Sequence, residues 1–186
     1  DGDNDNDIFI TGNNNSNQKI AKLYENDGLA NFTESIGTLF PGVFSSSSVF
    51  SDIDGDNDAD LLFTGYDSSS FFQTITKLYQ NDGTGLFTEV MGTNLDGVTS
   101  GIVDFIDVNG DNDEDLLIAG RNPLTQLICK LYDNNGLGTF FHVTGTPIEK
   151  VSLGSLTFGD IDNDNDNDLL VSGTSSSNNH ISYLYK

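Results

Sequence analysis

Residues 160–170 read DIDNDNDNDLL. Aspartate recurs on alternate positions (Asp160, Asp162, Asp164, Asp166, Asp168), and two leucines follow at once. A low-complexity tail, a catalytic carboxylate cluster and a cation-binding loop would each contain such a run. Two carboxylates about 6 Å apart repel by roughly 0.7 kcal/mol even in water, and a free tail relieves this by extending. This run cannot extend freely, because it passes straight into an apolar strand. A bound cation resolves the conflict.

The run is one of four: DGDNDNDIFITG from Asp1, DIDGDNDADLLFTG from Asp52, DVNGDNDEDLLIAG from Asp107 and DIDNDNDNDLLVSG from Asp160. Their last aspartates (Asp7, Asp60, Asp115, Asp168) recur at intervals of 53, 55 and 53 residues. A second marker, KLYENDG, KLYQNDG, KLYDNNG and a final YLYK, places Tyr24, Tyr79, Tyr132 and Tyr185 at intervals of 55, 53 and 53. Two markers with one period define a repeat protein. The expected organisation is a single segment over 1–186, with repeats at 1–46, 47–99, 100–153 and 154–186. Each repeat reads as four short strands. An apolar and small-residue run enters the acidic loop, and LLFTG, LLIAG or LLVSG leaves it, closed by glycine. A Ser/Asn-rich loop then leads to the strand ending in Leu-Tyr, and an NDG turn starts a last short strand. No segment has helical periodicity. The fold class expected is all-β, with four antiparallel strands per unit of about 50 residues arranged as β-propeller blades.

The 186 residues include 29 acidic and 7 basic ones, for a net charge of −22. No basic stripe exists to release counterions, so nucleic acid is excluded as a partner and cations are favoured. With 35% hydrophobic residues, 13 Phe and 6 Tyr, the chain can still build a core. No apolar run approaches the length of a membrane span. Cys129, the single cysteine, lies in LICKLY and reads as a buried, inert thiol.

Within the loops, acidic or amide side chains fall at positions 1, 3, 5, 7 and 9. These are Asp52, Asp54, Asp56, Asp58 and Asp60 in the second copy, and Asp107, Asn109, Asp111, Asp113 and Asp115 in the third. Asp160 to Asp168 supply the fourth, and the first copy, which starts at position 3, supplies Asp1, Asp3, Asp5 and Asp7. Hard oxygen donors at this density suit Ca²⁺, one ion per loop and up to four in all. Gly or Asn at positions 4 and 6 (Gly55, Asn57, Gly110, Asn112, Asn163, Asn165) suits a backbone that curls round an ion. An EF-hand would need a bidentate Glu at position 12, where this chain has Ile10, Phe63, Ile118 and Val171, and helical flanks. Nonapeptide β-helix repeats have too short a period. Four near-identical loops are also unlike an active site, which is a single asymmetric constellation.

FGDIDNDNDNDLL (158–170) and LYQNDGTGLF (78–87) resemble the FG-GAP or VCBS-type repeat of integrin-alpha-like propellers, and the resemblance covers essentially the whole chain. It implies a loop joining the first two strands of a blade and binding Ca²⁺ on one rim. Positions 1, 3, 5 and 9 would ligate through side chains, and position 7 through its carbonyl or side chain. Asn at position 6 and Asn109 at position 3 depart from the family pattern without removing a ligand.

His142 and His180 share no partner motif, and the serine runs 45–48 and 68–70 lack the context of a catalytic nucleophile. Lys22, Lys77 and Lys130 read as solvation of edge strands. Asn14 and Asn31 begin N-x-S/T sequons in or beside turns, candidates for glycosylation in a secreted protein. The frame cuts inside the first and last repeats, so the expected partners are further repeats of a longer chain or further copies joined head to tail, the latter as a filament. The expected role is an extracellular or cell-surface structural or adhesive protein contacting glycans or surface proteins. A lectin-like module and the non-catalytic part of a larger secreted protein are the alternatives. No enzyme is expected.

Overall fold

Successive Leu, Ile, Val and Phe after each acidic loop form strands because β-branched and large apolar side chains pack well on a pleated surface. The structure, a computed structural model, describes residues 1–3, 5–67 and 73–186. The serines at 68–70 therefore lie outside the described residues. Unit 1 contains β1 (Ile8–Asn13), β2 (Lys19–Asn26) and β3 (Phe32–Glu34). Unit 2 contains β4 (Val43–Ser51), β5 (Asp60–Asp67), β6 (Thr74–Asn81) and β7 (Phe87–Glu89). Unit 3 contains β8 (Thr99–Ile106), β9 (Asp115–Arg121), β10 (Leu127–Asn134) and β11 (Phe140–Val143). Unit 4 contains β12 (Ser152–Gly159), β13 (Asp168–Thr174) and β14 (His180–Tyr185). All pairings are antiparallel, and each acidic loop from the second onward is a hairpin connection closed by Ser51↔Asp60, Ile106↔Asp115 or Gly159↔Asp168.

The all-β class holds, but the β-propeller does not. The strands form three separate sheets of seven, four and three strands, none of them closed or curled into a circular arrangement. Units 1 and 2 merge into the seven-stranded sheet through a single pairing, Ile20↔Val43. The units stack in an open row through β1 on β4, β4 on β8 and β8 on β12. Local pattern sets the strands of each unit, whereas closure depends on how neighbouring sheets pack, and these side chains pack them in series.

That packing explains the double leucines. Side chains alternate between faces along a strand, so Leu61 and Phe63 enter a core shared with Leu23 and Phe9 of unit 1, while Leu62 enters one shared with Val103 and Leu116 of unit 3. Leu117 and Ala119 face unit 4, where Leu169 and Val171 meet them. The strands of units 2 and 3 that follow the acidic loops are apolar on both faces because both are covered.

The glycine of LLFTG lies inside its strand rather than closing it, since β5 continues to Asp67. β4, β8 and β12 each carry a register shift opposite this glycine, with Ser45, Ser100 and Leu153 at positive φ (47°, 49° and 53°). A Cβ on Gly65 would stand 2.9 Å from the Ser46 Cβ, and one on Gly120 would stand 2.7 Å from the Gly101 Cα. The bulged strand presses its neighbour where only hydrogen fits.

Straps between units are held by side chains. Thr64 Oγ1 lies 2.8 Å from the carbonyl oxygens of Ile75 and Val98 and accepts the Val98 N–H at 3.1 Å. Thr74 and Thr76 donate to the carbonyls of Gly97 and Asp96 at 2.8 and 2.9 Å. Two of the marker tyrosines hold straps as well, with Tyr132 OH accepting the Asp96 N–H at 3.2 Å and Tyr185 OH, one strap further on, the Glu149 N–H at 2.8 Å. At the matching place in unit 2 the strap residue is Pro41, which has no N–H to give. The repeated lysines do not solvate edges, because β2, β6 and β10 each lie between two other strands. Lys22 pairs with Glu34 and Lys130 with Asp96, each at 2.6 Å, and Lys77 pairs with Glu89. Cys129 is buried and free, and burial pushes its thiol up to about 12, as its apolar surroundings imply. No helix among the described residues is long and apolar enough to cross a membrane.

Candidate metal centres

Each acidic loop is wound by its own side chains. The position-1 aspartate accepts backbone N–H groups from across the turn. Asp52 takes Gly55 at 2.8 Å and Asn57 at 2.9 Å, Asp107 takes Gly110 at 2.7 Å and Asn112 at 2.9 Å, and Asp160 takes Asn163 at 2.6 Å and Asn165 at 3.1 Å. At position 5, Asp3 lies in the first loop, and Asp56, Asp111 and Asp164 each accept the N–H two residues on. In the second, third and fourth loops the Gly and Asn residues at positions 4 and 6 take positive φ, from 63° at Asn163 to 81° at Gly110. Here the curl expected from the sequence is present.

Position 9 has a structural duty. The Asp60 carboxylate accepts the Ile53 N–H at 3.1 Å and the Asn81 N–H at 2.8 Å. Asp115 accepts Val108 at 3.2 Å and Asn134 at 2.9 Å, Asp168 accepts Ile161 at 2.9 Å, and Asp7 accepts Asn26 at 2.9 Å. The asparagine two residues after each of the first three Leu-Tyr pairs thus ties the two sequence markers together, a link their shared period hinted at without explaining. In the first loop the Asp1 amino group also donates to Asp7, at 3.0 Å. Asp60 is 1% exposed and Asp115 fully buried. Burial, partly offset by the backbone donors, pushes the Asp60 carboxyl up to about 6 and raises that of Asp115.

Position 7 packs on the NDG turn. A Cβ on Gly83 (φ 76°) would lie 2.5 Å from an Asp58 carboxylate oxygen, one on Gly136 (φ 70°) 2.6 Å from that of Asp113, and one on Gly28 (φ 71°) 3.3 Å from that of Asp5. Gly83→Ala is expected to cost about 1–2 kcal/mol from the left-handed backbone alone, with a further loss as Asp58 is displaced. Urea unfolding of Gly83→Ala beside Gly92→Ala isolates the second part, since Gly92 shares the positive φ but has nothing near its Cβ.

Two loops bring three carboxylates together. Asp52, Asp54 and Asp60, and likewise Asp160, Asp162 and Asp168, each present an oxygen within 4.8 Å of the others. In the third loop Asn109 stands at position 3 and donates its amide to Asp133 of β10 at 2.9 Å, and no triad of carboxylates converges there among the described residues. Position 3 in the second and fourth loops is bonded by the matching residue, Gln80 to Asp54 at 2.7 Å and Lys186 to Asp162 at 2.9 Å. The sequence reading missed this variable residue after Leu-Tyr. The donor set fits a hard cation: every group is an oxygen, and Asp54 Oδ1 is buried without a hydrogen-bond partner. Burial first, then the Asp56 and Asp52 charges, raise the Asp54 carboxyl, and a cation would relieve all three causes.

Asn14 and Asn31 both lie in turns with their amide nitrogens engaged, to Gln18 at 3.0 Å and Asp27 at 2.8 Å. His142 lies 5.5 Å from the Tyr132 ring, and His180 lies 3.4 Å from Thr174 Oγ1, neither at an acidic loop.

Comparison with curated proteins and with solved structures returns no match. The model of the FG-GAP-like repeat matches residues 1–63, 52–118 and 107–171, three overlapping windows that each run from one acidic loop through the next. With these windows tiling most of its length and two of its loops able to hold a metal ion, the chain belongs to the FG-GAP-like repeat family, as a non-catalytic repeat module.

Proposed function

We propose that this chain is a calcium-stiffened structural module that works outside the cell or at its surface. The observation that carries the reading is the convergence of Asp52, Asp54 and Asp60 about a buried carboxylate oxygen with no partner. Asp160, Asp162 and Asp168 repeat the convergence. Oxygen-only donors select Ca²⁺ over transition metals, and sites on short exposed loops fall in the weak class, with Kd on the order of 10⁻⁴–10⁻³ M. Such sites fill in extracellular calcium and stay empty in the cytosol. The ion's task is mechanical, since each loop from the second onward ties the first strand of its unit to the second. The module thereby supports a structural or adhesive role. Calcium at ten times Kd is expected to add about 1.4 kcal/mol per occupied loop. Calorimetric titration together with melting in Ca²⁺, Mg²⁺ and EGTA tests this. Asp54→Asn should remove one binding event, and an equal response to Mg²⁺ or none to Ca²⁺ would overturn the reading.

A further inference from the structure

The strap from unit 3 to unit 4 departs from the two before it. In those, a glycine presses on the carbonyl that opens β2 or β6. A Cβ on Gly42 would lie 2.3 Å from the Lys19 oxygen, and one on Gly97 2.3 Å from that of Thr74. The matching tyrosine bonds to Asp96 and Glu149 put Lys150 in the place of Gly97. Its Cβ bars the same approach to Leu127, the counterpart of Thr74. The clamping threonines are replaced as well, since Ala119, Leu127 and Cys129 stand where Thr64, Thr74 and Thr76 hold the earlier strap. A cleft of about 550 Å³ opens between this strap, the end of β9, the start of β10 and Ser176 of unit 4, a size suited to a small molecule.

We propose that this cleft binds a hydroxylated organic monocarboxylate, such as a sugar acid, with its carboxylate between Arg121 and Lys150. Arg121, the single arginine of an acidic chain, and Lys150 both line the cleft. Among the described residues Lys22, Lys77, Lys130 and Lys186 each pair with a carboxylate, whereas Arg121 and Lys150 do not. Arg121 Nη1 donates to the Thr125 carbonyl at 3.2 Å, which anchors the guanidinium and leaves the rest of its fork for two carboxylate oxygens. Lys150 reaches the cleft floor, where its charge opposes the effect of burial on Cys129. Glu149 lines the cleft too, so two positive charges face one negative. One carboxylate neutralises the difference, and a phosphate, at about −1.5 to −2, overshoots it. Thr125, Gln126 and Ser176 offer hydroxyl and amide partners to the ligand's hydroxyls. The acidic loops do not oppose it, because β9 leaves its loop at Asp115 and reaches the cleft at its far end, Arg121. The proposal is therefore independent of calcium.

NMR titration of the 186-residue chain with galacturonate, and with galactose as its neutral twin, tests it. EGTA is present throughout, so that no ion bridges the sugar acid to an acidic loop. Galacturonate is expected to bind with Kd on the order of 1 mM, the strength open to a ligand of about a dozen non-hydrogen atoms, and to shift the amides of Arg121, Leu127 and Lys150. Galactose should bind at least about tenfold more weakly. Arg121→Gln and Lys150→Gln should each weaken galacturonate at least about tenfold with the melting temperature unchanged. Arg121→Lys keeps the charge without the fork and should fall between Arg121→Gln and the wild type. Lys77→Gln removes an equal charge outside the cleft and should leave binding as it was. Absence of galacturonate binding overturns the proposal, and so does equal binding of galactose or binding that survives both cleft variants. Displacement of galacturonate by an equal concentration of inorganic phosphate would mark a general anion site and overturn it too.

Discussion

Replacing Phe63 with alanine is expected to destabilise the protein by about 3–5 kcal/mol, the largest loss for a single side chain in the molecule. Phe63 is fully buried at the junction of units 1 and 2. Its ring stacks on Tyr79 at 5.8 Å with an interplanar angle of 9°, and it lies 5.3 Å from Phe9 and 6.2 Å from Phe40. Phe9 comes from unit 1, Phe40 from the strap between the units, and Tyr79 from unit 2. Truncation therefore opens a cavity that no single element can collapse to fill, and it also forfeits the aromatic pairings. For a chain of this size the melting temperature should fall by roughly 10 °C. Phe141→Ala, at a ring 56% exposed, serves as the control and should change stability by less than about 0.5 kcal/mol. Urea unfolding of both variants gives the comparison, and equal losses would show that the aromatic cluster is not the keystone of that junction.

The second large effect is a dependence on acidity whose sign calcium reverses. Burial holds the Asp60 carboxyl at about 6 in the folded protein, above the ordinary 3.8. Between those values the folded state binds more protons than the unfolded one, so stability falls as pH rises through the interval. Above pH 6 the cost of keeping the buried carboxylate ionised is fully present, about 3 kcal/mol for a shift of this size. In EGTA the melting temperature should therefore rise as pH is lowered from 7 towards 5. A cation held by Asp52, Asp54 and Asp60 favours the ionised carboxylates, and protonation then expels it. In millimolar Ca²⁺ the same descent in pH should lower the melting temperature. Parallel melting curves in the two buffers would mean that no ion sits at Asp60.

Much of this was legible in the residues. The spacing of Asp7, Asp60, Asp115 and Asp168 marks the repeat, and the Gly and Asn residues at loop positions 4 and 6 mark the left-handed turns that the structure contains. The runs of two and three apolar residues mark strands. They do not say which neighbour each face meets, and so the closed ring suggested by strand count was wrong. Position 9 read as a ligand like the rest. Its bonds to Asn81, Asn134 and Asn26 lie about twenty residues away in sequence, where a local pattern carries no sign of them. Thr64 was equally silent, because a threonine in an apolar run looks like any β-branched strand residue until the strap that it holds is seen. Asn109 read as a harmless replacement; only the fold shows its amide bonded to Asp133 and the third loop without the carboxylate triad of the second and fourth.

The glycine beneath each bulge has a consequence for how such a chain can change. A strand with one polar face cannot slip by a residue, because slipping would expose its core face. β5 and β9 are apolar on both faces and lack that safeguard. Their alignment rests on shape: the bulge at Ser45 or Ser100 fits only over Gly65 or Gly120, and the loop aspartate locks the other end of the hairpin. Single-residue insertions between those two points should be poorly tolerated, since they would break one lock or the other. Gain or loss of a whole repeat moves both locks together and preserves every fit, so the length of such an array is free to vary while the interior of each unit is not.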